Sequence, residues 1–223
     1  MVLSGTQYLE ELASRFKEEA DPKNAEQASA YMRHQYRFFG LKSPRRNALF
    51  KSHREKYGLP DEWRKTVGKS WEYDEREIQY IGMELAYRCR KNWGREDLAL
   101  FESMVIQKSW WDTVDYISSN IMGHYLLCFP DLTEEVTKRW NKSDNMWLNR
   151  ASIIFQLKYK DKTDFELMQN MINRHKSSPE FFLQKAIGWA LRQYARQNPQ
   201  AVRSYVANTE LKPLSRREAM KHL

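Results

Sequence analysis

A weak internal repeat constrains the fold of this 223-residue chain more than any other feature. Three segments align without gaps and each ends in a tyrosine: REIQYIGMELAY (76–87), LNRASIIFQLKY (148–159) and LQKAIGWALRQY (183–194). The closing tyrosines are 72 and 35 residues apart, which fits two units and one unit of about 36 residues. Helix pairs that recur at such a period build an α-solenoid, whose stacked pairs create a concave face.

The remainder of the sequence also favours helices, since no alternating stretch is long enough to be a convincing strand. Gly and Pro are scarce, at 8 and 7 residues, and a hydrophobic fraction of 41% supplies a buried core. We therefore predict an all-α protein, a right-handed α-solenoid or superhelix of HEAT-like helix pairs, in which residues 1–223 form a single domain. The predicted helices span roughly 5–20, 24–38, 44–57, 61–69, 74–91, 96–108, 110–127, 131–141, 145–159, 163–175, 179–196, 199–207 and 214–222.

Short polar motifs predict where several of these helices begin. A Ser–Pro pair is typical of an N-cap with Pro in the first turn, and Ser followed three residues later by an acidic residue matches a capping box. Asp144 or Asn145 is expected to cap the helix that follows it. The other predicted starts are Ser43-Pro44, Ser178-Pro179, Ser109 with Asp112, and Ser215 with Glu218.

Positive charge is concentrated toward the C-terminus. Residues 138–223 contain 17 Lys and Arg against 7 Asp and Glu, a net charge of +10, whereas residues 1–137 carry −2. Such asymmetry favours a polyanionic partner, either nucleic acid or a membrane surface, over a basic face that only aids solubility. No strongly basic amphipathic segment with a large apolar face is visible, so nucleic acid is preferred.

Several other classes of function lack the residues they need. The five His show no metal-ligand spacing, no phosphate-binding glycine loop is present, and Cys89 and Cys128 fit buried thiols in a reducing compartment. No apolar stretch approaches the length of about 20 residues that a membrane-spanning helix needs. The N-terminus lacks the basic region followed by a long apolar run that is typical of a signal peptide. We expect a cytoplasmic, nucleoid-associated monomer without metal, cofactor or obligate protein partner.

The segment KSWWDTVDYI (108–117) contains the first candidate site. Trp111 and Asp115 are four residues apart, which places them on one helical face about one turn apart. A carboxylate beside an aromatic ring is unusual on a core-facing stripe, because burying an unpaired charge is costly. Trp110 points elsewhere and is expected in the core. A core tryptophan and a surface ion pair are the alternative interpretation of Trp111 and Asp115.

A second candidate face lies in FFLQKAIGWALRQYARQNP (181–199). Lys185, Trp189 and Arg192 share one helical face, and Arg196 extends the row by another turn. A row of cations around a Trp suits a phosphate backbone with a stacked sugar or base, although a solvated basic face is the alternative. In SDNMWLNRASIIFQLKYK (143–160), Arg150 and Lys158 are two turns apart and suit one strand of phosphates.

These segments, together with LSRREAMKH (214–222) and YMRHQYRFFGLKSPRR (31–46), resemble the AlkD-type DNA alkylation repair glycosylases over nearly the whole chain. The resemblance implies a concave face that binds duplex DNA containing alkylated purines. It also implies hydrolysis of the N-glycosidic bond of cationic N3- and N7-alkylated purines, as in base excision repair, without base flipping. No lysine is clearly placed as a Schiff-base nucleophile, so we predict a monofunctional enzyme without strand cleavage.

The resemblance also implies roles for individual residues. The lesion-facing Trp, Asp and Trp of the family fall on Trp111, Asp115 and Trp189, and its central DNA-contacting Arg falls on Arg150. Lys42 departs from the family pattern, which has a polar amide there. The remaining implied or predicted DNA-binding positions are Tyr31, Lys42, Lys158, Lys185, Arg192 and Arg196.

The main alternative is a non-catalytic α-solenoid adaptor that binds nucleic acid or an acidic protein. An adaptor would use the same basic concavity, but Asp115 would have no reason to face it, since a carboxylate repels phosphates. The position of the Asp115 side chain therefore discriminates between the two hypotheses.

Overall fold

The structure is a computed structural model that describes residues 3–223, and these residues form helices and no strand. The all-α prediction is thus confirmed. Two compact units divide the chain, one ending at Leu100 and one spanning Phe101–Leu223. The prediction of a single domain stays a prediction, and each unit is described by itself.

The first unit is built on amphipathic helices. Its first helix begins with a capping box, in which the Ser4 hydroxyl accepts a hydrogen bond from the Gln7 backbone and the Gln7 side chain binds the Ser4 backbone. Tyr8, Leu12 and Phe16 recur at helical spacing and are buried. The helices of the first unit are α1 (Gly5–Glu18), α2 (Pro22–Tyr31), α3 (Ser43–Tyr57), α4 (Trp63–Ser70) and α5 (Arg76–Arg88). The division between the two units, after Leu100, falls within α6 (Asp97–Ile106).

The second unit holds both basic segments and a core of its own. Its helices are α7 (Trp111–Tyr116), α8 (Gly123–Cys128), α9 (Thr133–Asn141), α10 (Met146–Ile154), α11 (Phe165–His175), α12 (Phe181–Tyr194), α13 (Pro199–Asn208) and α14 (Pro213–Ala219). Side chains of α10 to α14 form one continuous apolar cluster. The repeated segment 148–159 begins in α10, and the repeated segment 183–194 lies within α12. Helices α10 and α12 pack against each other, as neighbouring repeats of a solenoid do.

Several predicted helices are interrupted. The helix predicted at 24–38 ends at Tyr31, because Arg33 and His34 adopt positive φ angles of 55° and 56°. The one predicted at 110–127 contains a π-helical segment, Ile117–Met122, between α7 and α8. The one predicted at 145–159 continues beyond α10 as a 3₁₀ segment, Phe155–Lys158.

The cap predictions were mostly wrong. The Ser109 hydroxyl donates to the Val105 carbonyl of the preceding helix, and α7 begins without a side-chain cap after Trp110. The Ser215 hydroxyl lies within α14 and donates to the Gln184 carbonyl of α12. The Ser43 and Ser178 starts were also displaced, since the N-caps are Lys42 and Glu180. Asn145 does cap α10, where its side chain accepts from two backbone N–H groups.

None of the helices in the described part of the chain combines the length and the apolar character that crossing a membrane requires.

Candidate active site

The two predicted faces meet at one cavity of about 280 Å³ in the second unit. Helix α7 contributes Trp111 and Asp115, which are one turn apart as the sequence predicts. Arg150 comes from α10, and the remaining lining residues come from α12. That last group comprises Phe181, Phe182, Lys185, Trp189 and Arg192.

A bidentate ion pair between Asp115 and Arg150 forms part of the lining of this cavity. Arg150 Nε and Nη2 donate to the two carboxylate oxygens over 2.7 and 2.9 Å. Arg150 Nη1 donates to the Phe182 carbonyl at the start of α12. The side chains of Arg150 and Asp115 are 5% and 17% exposed, so the pair is buried and the carboxylate keeps limited access to the cavity.

The surroundings of Asp115 raise its pKa from its ordinary value. Burial is the largest cause, because it disfavours the charged form, and the hydrogen bonds from Arg150 oppose it. The pairing fixes the direction of the carboxylate, since both of its oxygens bind one planar guanidinium. The site therefore presents an oriented acidic group in a partly desolvated cavity.

Arg150 differs from the sequence-based prediction. The spacing to Lys158 suggested that both cations follow phosphates along one helix, but the α-helix ends at Ile154 and Arg150 is buried against Asp115. Lys158 is exposed and lines a separate cavity of about 260 Å³, together with Asp115 and Trp189. The two cavities therefore flank the same carboxylate and the same indole.

Sequence reasoning missed Glu218, a residue of α14 that holds the two cations on α12. Its carboxylate oxygens lie 3.0 Å from Lys185 Nζ and 2.6 Å from Arg192 Nη1. The hydrogen bonds from Lys185 and Arg192 lower the pKa of Glu218 to about 2, so this carboxylate is ionised at neutral pH. The spacing Ser215–Glu218 had suggested only a capping box.

Phe182, which lines the cavity, belongs to an aromatic wall whose other two members do not line it. Trp110, Trp147 and Phe182 are in mutual contact, with ring centroids between 4.9 and 5.9 Å apart. Trp110 is half-buried in this wall rather than fully in the core. Phe181, whose side chain lies against Phe182, is 57% exposed. The adjacent phenylalanines of FFLQK were the signal in the sequence for this wall.

Besides Lys158, three predicted DNA-binding residues lie outside the cavity that contains Asp115 and Arg150. Tyr31 and Lys42 belong to the first unit, where they line a separate cavity of about 400 Å³. Arg196 follows the end of α12 at Tyr194, so it does not extend the row on that helix. Residues 3–223 hold no cluster of three or more His, Cys, Asp or Glu side chains suited to a metal ion.

The sequence pattern of the DNA alkylation repair enzyme family matches residues 12–223. The chain belongs to the DNA alkylation repair enzyme family. A solved structure described as a predicted DNA alkylation repair enzyme from Enterococcus faecalis is 34% identical, with a TM-score of 0.84. The similarity covers 92% of this chain and 96% of that one. No curated protein sequence matches at a comparable level.

Membership in this family makes DNA the substrate class of the enzyme. The cavity suits such a partner, because two of its lining cations, Lys185 and Arg192, are partly exposed, at 38% and 22% of their side chains. Arg150, by contrast, is committed to Asp115. The three cations of the cavity thus divide into one that orients a carboxylate and two that a phosphate can reach.

Proposed function

We propose that this DNA alkylation repair enzyme is a monofunctional glycosylase that hydrolyses the N-glycosidic bond of cationic N3- and N7-alkylated purines in duplex DNA. The observation that carries the proposal is the Asp115 carboxylate, held by Arg150 in a cavity that Trp111 and Trp189 also line. An adaptor that only binds phosphates gains nothing from a carboxylate that takes up one of the three cations of its basic cavity, as Asp115 takes up Arg150.

The charge of the substrate explains why one carboxylate is sufficient. An alkylated purine that carries a positive charge leaves as a neutral base, so no general acid is needed. As the bond to the base breaks, positive charge develops on the deoxyribose, as in other glycoside cleavages. Asp115 beside C1′ stabilises this cation and orients the attacking water. Comparable electrostatic groups contribute about 3–4 kcal/mol to the transition state.

The aromatic residues complement the same charge. Trp111 and Trp189 line the cavity together with Asp115 and would pack against the sugar. An indole face beside a developing cation contributes about 0.5–2 kcal/mol through cation–π attraction. Two indoles and one carboxylate therefore favour the cationic transition state over a neutral nucleotide.

Action on the sugar from the backbone side, without base flipping, is part of the proposal. Enzymes that flip a base read its Watson–Crick edge with hydrogen-bonding groups in the pocket. The side chains that line the 280 Å³ cavity are aromatic or charged, whereas the amides and hydroxyls near Asp115 line the neighbouring cavity that contains Lys158. Lys185 and Arg192 at its edge suit the phosphate next to the lesion rather than a base.

The absence of strand cleavage follows from the state of Lys185, the lysine of this cavity. A Schiff base requires a lysine amine that is free to attack the sugar, whereas Lys185 Nζ is ion-paired with the Glu218 carboxylate over 3.0 Å. We expect base release without a covalent enzyme–DNA imine. Trapping such an imine with borohydride would contradict this part of the proposal.

The decisive experiment measures base release from duplex DNA that contains N7-methylguanine, with DNA binding measured alongside. Asp115→Asn should lower the single-turnover rate at least about 100-fold, while the affinity for DNA changes by only a few-fold. Asp112→Asn is the matched control, because Asp112 lies on the same helix but does not line the cavity. Equal base release by wild type and Asp115→Asn would refute the proposal, and duplex binding without release of any alkylated base would favour the adaptor.

A further inference from the structure

Helix α14 makes a close approach to α12 at Gly188. A Cβ atom added there would lie 2.3 Å from the Glu218 Cβ and 3.0 Å from the Ser215 carbonyl oxygen, so a larger residue would push α14 away. Gly188 stands one turn after Lys185 and one turn before Arg192 on α12. The glycine thus seats the Glu218 side chain between the two cations.

Glu218 binds both cations at once and fixes the direction of one of them. Arg192 Nη1 donates to the Glu218 carbonyl over 2.9 Å and to its carboxylate over 2.6 Å. Both described hydrogen bonds of Arg192 come from Nη1, so Nη2 and Nε are the donors that remain for a ligand in the cavity. Lys185 Nζ is held by the other carboxylate oxygen.

We propose that Glu218 is a positioning residue, which holds Lys185 and Arg192 side by side so that they bind the DNA phosphate next to the lesion. This inference rests on the proposed function for the location of that phosphate. Glu218 itself does not touch DNA. Its carboxylate and the two cations carry a combined charge of +1, which matches one phosphate.

An alternative role predicts the opposite sign. If Glu218 merely competed with phosphate for the two cations, its removal would release them and strengthen DNA binding. If Glu218 positions the two cations, its removal lets the side chains of Lys185 and Arg192 spread over many rotamers. Binding must then immobilise both side chains, and this loss of conformational entropy weakens the affinity for DNA. The direction in which affinity changes therefore separates the two roles.

The test uses the intact protein, Glu218→Ala and an undamaged duplex, and measures the dissociation constant over about 50 to 200 mM salt. We expect Glu218→Ala to bind about 3- to 10-fold more weakly than wild type. The salt slope, which is the steepness with which the logarithm of the binding constant falls with the logarithm of the salt concentration, should be lower by about 0.9 for each phosphate that the variant no longer neutralises. Tighter binding with a steeper slope would overturn the proposal. Glu218→Gln, which still accepts a hydrogen bond but carries no charge, should fall between Glu218→Ala and wild type.

A control is needed because Glu218→Ala also loosens the packing of α14. Glu102 offers a matched carboxylate away from the cavity: it bridges Arg139 over 2.6 Å and Trp140 over 2.5 Å. Glu102→Ala should lower the melting temperature to a similar extent but leave the salt slope unchanged. If Glu218→Ala behaves in the same way, Glu218 serves packing alone and the inference is wrong.

A double-mutant cycle gives an independent readout. Arg192→Ala should weaken DNA binding in wild type and have a smaller effect in Glu218→Ala, because an unpositioned Arg192 contributes less. Equal effects in both backgrounds would contradict the inference. These binding assays use undamaged DNA and do not depend on base release. If no alkylated base is released, the proposed function is refuted, but a change in the salt dependence of binding in Glu218→Ala would still stand.

Discussion

The buried His53 makes the stability of this protein fall in mild acid. His53 lies on α3 between the rings of Tyr8 and Tyr57, with centroid distances of 4.4 and 4.8 Å. The residue is fully buried, and neither ring nitrogen has a hydrogen-bond partner among the described residues. Burial is the main cause that lowers the pKa of His53 to about 4, because it disfavours the charged imidazolium.

The direction of the effect follows from linkage. The unfolded chain binds a proton at His53 with a pKa of about 6.5, while the folded protein resists protonation until about pH 4. Stability is therefore complete above pH 6.5 and is lost as the pH falls from 6.5 toward 4. At pH 5 the loss from this residue alone is about 2 kcal/mol, a large fraction of the stability of a typical domain.

Urea unfolding at pH 7.5 and pH 5 measures this loss, and His53→Leu isolates the contribution of His53. The variant keeps a side chain of similar volume without a titrating group, so its packing cost is the same at both pH values and cancels in the comparison. Wild type should lose about 2 kcal/mol more than His53→Leu between the two pH values. The burial argument would be refuted if both proteins lost the same amount.

Three further predictions concern the cavity. Arg150→Leu leaves Asp115 buried without a partner and should lower the free energy of unfolding by about 3–5 kcal/mol in urea titrations, and adding Asp115→Asn should restore part of it. Because Asp115 must be ionised and its pKa is raised, base release measured against pH should decline on the acid side at a higher pH than an ordinary aspartate would give. Gly188→Ala should lower the free energy of unfolding by about 1–3 kcal/mol in urea titrations, because its Cβ would lie 2.3 Å from the Glu218 Cβ; an unchanged value would mean that α14 can shift freely.

Residues on one helical face could be predicted to meet, because helical spacing alone determines their separation. Trp111 and Asp115 on α7 line the cavity, and so do Lys185, Trp189 and Arg192 on α12. Contacts between helices were harder to predict, since they depend on how the helices pack.

The partner of Asp115 illustrates this limit. Arg150 was expected to face phosphates, but it is the only arginine or lysine that the described structure pairs with Asp115. The cost of burying an unpaired carboxylate did require a partner for Asp115, so the need for a cation could be predicted even though its identity could not.

Glu218 was missed for a related reason. Its local spacing from Ser215 matched a capping motif, which accounted for both residues without any contact outside α14. Gly188 was the available signal, because a glycine within a helix often marks the close approach of another chain segment.

The hydrogen bonds of Arg150 also make the proposed reactive geometry depend on the packing of three helices. One guanidinium joins Asp115 of α7 to the Phe182 carbonyl at the start of α12, across sequence separations of 35 and 32 residues. Until α12 has docked, Arg150 lacks one of its acceptors and the carboxylate is not held in place. A chain in which α12 is not docked therefore lacks the arrangement that we propose cuts the bond to a base, even though its basic segments are unchanged.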